Sequence, residues 1–118
     1  MITIYHNPRC TKSCAALARL QEYAQENDVQ LCLRTYLQET PDEAEIHRLL
    51  NQLGVKSARE MMRTGEAVYQ EQHLDKADED ALIAAMVAYP ILIERPIVVY
   101  GGKAVIARPL DHLERLLP

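Results

Sequence analysis

The stretch "IYHNPRCTKSCAAL", residues 4–17, decides how this chain folds. Ile4 and Tyr5 are strand formers, and within "ITIYH" they predict a short strand over residues 2–6. Asn7-Pro8 ends it, because the residue before a proline is steered away from helix. From Cys10 to about Asn27 the pattern turns helical, with Leu17, Leu20 and Ala24 on one face at i, i+3 and i+7. A cysteine, Cys10, therefore stands at the joint between strand and helix. A second, Cys14, follows one helical turn later.

Outward from this stretch, residues 29–37, "VQLCLRTYL", alternate and are rich in strand formers. Strand, helix and strand in succession predict a βαβ unit with a right-handed crossover. The middle of the chain is helical. Thr40-Pro41-Asp42-Glu43 reads as a capping box with proline at the first helical position. Ile46, Leu49, Leu50 and Leu53 form the apolar stripe of that helix, and Gly54 is its C′ stop. Ser57 with Glu60 repeats the capping box before "MMRTGE", and "DEDALIAAMVAY" predicts a further helix ending at Pro90. "PIVVY" and "KAVIA" then flank Gly101-Gly102, a two-residue hairpin signal, and "PLDHLERLL" closes the chain as a short helix. The order β-α-β, helical block, β-β-α describes one α/β domain over residues 1–118. It is the thioredoxin-like pattern, a four-stranded mixed sheet flanked by helices, with a helical block inserted.

Composition bounds the function. With 48% hydrophobic and 25% charged residues, this is an ordinary soluble globular composition. Phe and Trp are absent, so the core must come from aliphatic residues, Met and some of the six Tyr. A net charge of −4 argues against nucleic acid or an anionic membrane as a partner. Any anion site must then be built locally, from a few aimed cations. No apolar run reaches the roughly 18 residues of a membrane span, and "MITIYHNP" lacks the layout of a signal peptide. Three cysteines without an export signal point to the cytoplasm, where Cys10, Cys14 and Cys32 are thiols at rest.

At a helix start, Cys10 faces free N–H groups and the positive end of the helix dipole. That placement lowers a thiol pKa from about 8.5 and produces the nucleophilic thiolate. Arg9 and Lys12 add positive charge nearby. The competing reading is a buried cysteine serving as a small hydrophobe. The polar neighbours Asn7, Arg9, Thr11, Lys12 and Ser13 suit the reactive reading better. His6, at the strand's end, is placed to tune the thiol, although a single histidine is ordinarily structural. No Cys/His spacing suggests a metal site. Arg63 in "MMRTGE", Arg95 in "IERPIVV" and Arg108 in "IARPLD" are candidates for bidentate oxyanion binding, against the ordinary reading as solvated surface charges. The Arg95-Pro96 bond, just before a strand, is a candidate cis peptide.

"YHNPRCTKS", "RPIVV" and "ARPLD", in this order, resemble the glutaredoxin-dependent (ArsC-type) arsenate reductase family, especially its YfgD-like branch. The resemblance covers essentially the whole chain. It implies a thioredoxin-like fold with a helical insertion, and a Cys10 thiolate that attacks arsenate held by Arg63, Arg95 and Arg108. It implies that His6 helps keep the cysteine ionised and that Pro96 is the cis proline. It also implies glutathione as co-substrate and glutaredoxin as partner, with no bound cofactor. One departure stands out: where these reductases usually carry arginine four residues after the nucleophile, this chain has Cys14. Cys14 is either a resolving thiol or a small residue at the helix edge. Two other readings remain open at this point. One is a redox-responsive RNA polymerase-binding regulator resembling Spx, although Ser13 breaks the Cys-x-x-Cys pair of those proteins. The other is a general thiol-disulfide oxidoreductase using Cys10 and Cys14.

Overall fold

The computed structural model describes residues 1–118. Strands β1 (Ile2–Tyr5), β2 (Leu31–Arg34), β3 (Ile97–Tyr100) and β4 (Lys103–Ile106) form one sheet in the order β2-β1-β3-β4. β1 pairs parallel with β2 and antiparallel with β3, and β4 pairs antiparallel with β3. Helix α1 (Thr11–Asn27) makes the crossover between the parallel strands. Between β2 and β3 lie helices α2 (Glu43–Leu53), α3 (Ala67–Glu71) and α4 (Glu79–Ala88). This is the thioredoxin-like sheet with its helical insertion.

Alternation along the strands gives each face its own core. Ile2, Ile4 and Val98 point with Ala16 and Leu20 of α1 and with Leu113 into one cluster. Tyr5, Ile97 and Ala104 point the other way, against Ile46 and Leu49 of α2 and Leu82 and Met86 of α4. Methionines and aliphatic residues fill this second core, as the absence of Phe and Trp requires.

A polar triad, buried except at Arg34, fastens the two layers. Tyr5 Oη donates to Glu45 Oε2 at 2.5 Å, while Arg34 Nη1 and Nη2 donate to Glu45 Oε2 and Oε1 at 2.6 and 3.2 Å. One carboxylate on α2 thus ties down residues from β1 and β2. Within the insertion, Arg59 plays a similar part, donating to Tyr69 Oη and to the carbonyls of Leu74 and Ala77.

The structure moves several expected boundaries. β2 is four residues, not nine, because β1 offers only Ile2–Tyr5 as pairing partners. The cap of α2 is Asp42, whose side chain accepts the Glu45 N–H at 2.8 Å, so Pro41 precedes the helix instead of opening it. Asp, with Glu three residues on, outcompetes Thr40 for the cap. The Ser57/Glu60 capping box is present but heads a 3-10 turn, Ala58–Met61. The closing element, Leu110–Arg115, is likewise 3-10. Gly54 ends α2 at φ 70°, and Gly101 and Gly102 make the hairpin at φ 62° and 77°, left-handed conformations that favour glycine.

Candidate active site

The site assembles where β1 gives way to α1. The Cys10 N–H donates to the Asn7 carbonyl at 3.0 Å, and the Asn7 side chain accepts the Arg9 N–H at 3.0 Å. This tight turn delivers Cys10 to the N-cap position of α1 in an extended conformation. Its carbonyl takes the first helical bond, from Cys14 N–H. Its side chain makes no full capping hydrogen bond, yet it lies over the free N–H groups of the first turn. Burial pushes the Cys10 thiol up. The N–H groups of Ser13 and Lys12 and the Arg95 guanidinium outweigh burial and hold its pKa below the ordinary value.

Ser13, fully buried on α1, is the hub beneath the cysteine. Its Oγ lies 2.7 Å from His6 Nδ1 and accepts the Asn7 N–H at 3.1 Å. Burial holds the His6 pKa below its usual value, against the opposing effect of Ser13. His6 is joined to Cys10 through Ser13, and burial works against its charged form.

The three arginines converge from distant segments. Arg108 Nη1 sits 3.9 Å from Cys10 Sγ and donates to the Arg95 carbonyl at 3.3 Å. Arg95 Nε and Nη1 are buried without a hydrogen-bond partner. Buried donors are seldom left unpaired, and here they belong to a cation beside the Cys10 thiol. Arg63 stands one step further out. It pairs with Glu66, and its Nε lies 4.0 Å from Glu94 Oε1, the oxygen that Arg108 Nη1 also approaches to 4.0 Å. A cleft of about 350 Å³ opens between Arg63, Glu66, Glu94 and Arg108. The peptides Arg95–Pro96 and Arg108–Pro109 are both cis.

Cys14 is turned away from this assembly. It is exposed, and its Sγ donates to the Pro8 carbonyl at 3.4 Å. Cys32 lies half-buried on β2, and all three cysteines are free. No group of three or more His, Cys, Asp or Glu side chains is placed to hold a metal ion.

Three residues of the site escaped sequence reasoning, Tyr36, Glu66 and Glu94, and Ser13 was read there only as a polar neighbour of Cys10 and not as a hydrogen-bonding hub. Tyr36 is buried, which pushes its phenol pKa up, while the charges of Arg95 and Arg63 pull it down. Its signal was topological. A parallel β1–β2 pair sets the residues after β2 beside the loop after β1.

An extended strand, a cysteine at a helix N-cap and a proline-preceded strand opposite it define a thioredoxin-like protein with a single activated thiol. The model of the ArsC family matches residues 5–116, and the chain belongs to that family. It is 45% identical over 118 residues to the arsenate reductase of Neisseria meningitidis serogroup A, covering 98% of this chain and 97% of that one. It is 49% identical over 114 residues to the Escherichia coli K12 protein YfgD, covering 95% and 92%. The solved arsenate reductase of Vibrio cholerae superposes with a TM-score of 0.88 at 40% identity, covering 98% of this chain and 97% of that chain.

Proposed function

We propose that this protein is an arsenate reductase that works through Cys10 with glutathione and glutaredoxin in the cytoplasm. The observation that carries this reading is the pair of buried, unpartnered Arg95 donors beside a thiol of lowered pKa. Arsenate is a phosphate-like anion, and a thiolate approaches it only if its charge is offset, which Arg95 and Arg108 do at short range and Arg63 at longer range. The Cys10 thiolate attacks arsenic and displaces one oxygen as hydroxide or water, forming an S–As(V) bond. Glutathione thiolate then attacks the Cys10 sulfur. The S–As electron pair stays on arsenic, which leaves as arsenite, and a Cys10–glutathione mixed disulfide remains. A glutaredoxin thiol attacks the glutathione sulfur and returns Cys10 as thiolate. His6 acts as a positioning residue, holding Ser13 and the first turn of α1 under the sulfur.

The test is turnover with arsenate, glutathione and glutaredoxin, comparing the wild type with Cys10→Ser. A hydroxyl supplies no anionic nucleophile at neutral pH, so the variant should be inactive. Substantial activity in the folded variant would sink the assignment. The Cys14 geometry disfavours a Cys10/Cys14 dithiol cycle, because Cys14 faces Pro8. An Spx-like role would show instead as capture of RNA polymerase by the oxidised protein without arsenate turnover.

A further inference from the structure

Glu94 is an odd residue to find in an anion site. It immediately precedes Arg95, and its backbone is stitched in place. The Glu94 N–H donates to the Met61 carbonyl at 2.8 Å, and the Arg63 N–H donates to the Leu92 carbonyl at 2.7 Å. This short ladder brackets the Met62–Ile93 bridge, setting Glu94 opposite Met61 and Arg63 opposite Leu92, so main chain fixes Glu94 and Arg63 as diagonal neighbours across the bridge. A single carboxylate oxygen, Oε1, then lies 4.0 Å from both Arg63 Nε and Arg108 Nη1. It also lies 3.4 Å from the Arg95 backbone nitrogen.

The charges around the cleft therefore balance. Arg63 and Arg108 line it together with Glu66 and Glu94, and the Arg95 guanidinium lies beside the Cys10 thiol next to it. A site selecting for negative charge alone would gain from having no carboxylate there. Like charges brought together cost several kcal/mol, unless a proton lies between them. An ionised carboxylate only accepts hydrogen bonds, so it rewards a ligand oxygen that carries a hydrogen. Arsenate and phosphate keep at least one hydroxyl at neutral pH. Sulfate, of the same shape, has none.

We infer that Glu94 is a specificity-determining residue. It accepts the hydroxyl of a protonated tetrahedral oxyanion and repels tetrahedral anions that have lost every proton. Arg95 and Arg108 supply attraction, and Glu94 supplies the discrimination. Specificity of this kind needs the repulsive element as well as the attractive ones. The inference rests on the oxyanion reading of the cleft.

The experiment measures protection of Cys10 from iodoacetamide at neutral pH by phosphate, arsenate and sulfate. Wild type, Glu94→Gln and Glu94→Ala are compared. In the wild type, phosphate should protect at concentrations at least about tenfold below those needed for sulfate. In Glu94→Gln and Glu94→Ala that ratio should collapse, chiefly because sulfate binds more tightly. A Glu94 that merely props the arginines would weaken all three anions together and leave the ratio intact, and that result overturns the inference. So does equal protection by phosphate and sulfate in the wild type, which requires no variant to fold. If arsenate and phosphate both fail to protect the wild type, the oxyanion reading itself falls, and the role of Glu94 falls with it.

Discussion

The Arg108 guanidinium lies 3.9 Å from the Cys10 sulfur, although 98 positions separate the two residues in the chain. The contact brings the segment after β4 onto the start of α1. The sulfur thus has helix N–H groups beneath it and guanidinium groups beside it, the two standard means of stabilising a thiolate.

Alkylation of Cys10 should accordingly titrate below about 8.5, the ordinary thiol value. The thiolate dominates above the midpoint, so a lowered midpoint means faster alkylation near neutrality. Iodoacetamide rates against pH, read on Cys10 by peptide mass spectrometry, give the midpoint. Arg95→Ala should move it upward, because that guanidinium is one of the groups holding it down. An unshifted wild-type midpoint removes the electrostatic case for Cys10 as nucleophile.

Arg95→Lys keeps the charge but loses the planar fork. We expect KM for arsenate to rise about tenfold or more, since a bidentate charged contact is worth roughly 1.5–3 kcal/mol. Arg63→Ala and Arg108→Ala should weaken binding in the same direction. Unchanged kinetics in Arg95→Lys would mean that its buried donors face no substrate oxygen.

Cys14→Ser should retain most of the turnover when glutathione and glutaredoxin are supplied. Cβ atoms one helical turn apart lie about 5–6 Å from each other, and a disulfide needs about 3.5–4.5 Å. The thiol is also engaged with the Pro8 carbonyl. Side-by-side assays with glutaredoxin or thioredoxin decide the matter. Loss with both reductants, in a folded variant, would make Cys14 an obligatory resolving thiol.

Glu45→Ala should lower stability by about 3 kcal/mol, because it strands the partly buried Arg34 and the buried Tyr5 hydroxyl together. Tyr5→Phe should cost only about 1 kcal/mol, the net worth of one hydrogen bond. Urea unfolding of the three proteins measures both. Equal losses would show that the carboxylate's bond to Arg34 adds nothing.

The strand-helix-strand opening, the Gly-Gly hairpin and the N-cap position of Cys10 were legible because each depends on neighbours in sequence. The reach of β2 was not, since its length is set by β1 across the sheet. The cap of α2 was misplaced by two residues because Thr40 and Asp42 are both good caps, and only the Glu45 N–H chooses between them. Convergence of Arg95 and Arg108 on Cys10 was expected from the resemblance alone. The contacts of Ser13 and Glu94 went unread for a related reason. Their significance lies in what stands opposite them, and nothing local to "TKSC" or "LIERP" announces it.

The separation of Cys10 and Arg108 along the chain has a further consequence, for the protein's birth rather than its work. Cys10 is synthesised well before Arg95 and Arg108, which follow it far along the chain. Until β3 docks antiparallel beside β1, the thiol has at most the N–H groups of the helix start and lacks the Arg95 guanidinium that lowers its pKa further, so it is less reactive toward electrophiles and oxidants. Its full reactivity comes only with completion of the sheet. Pulse alkylation during refolding would therefore report the final docking step, with labelling of Cys10 accelerating as the last strands close.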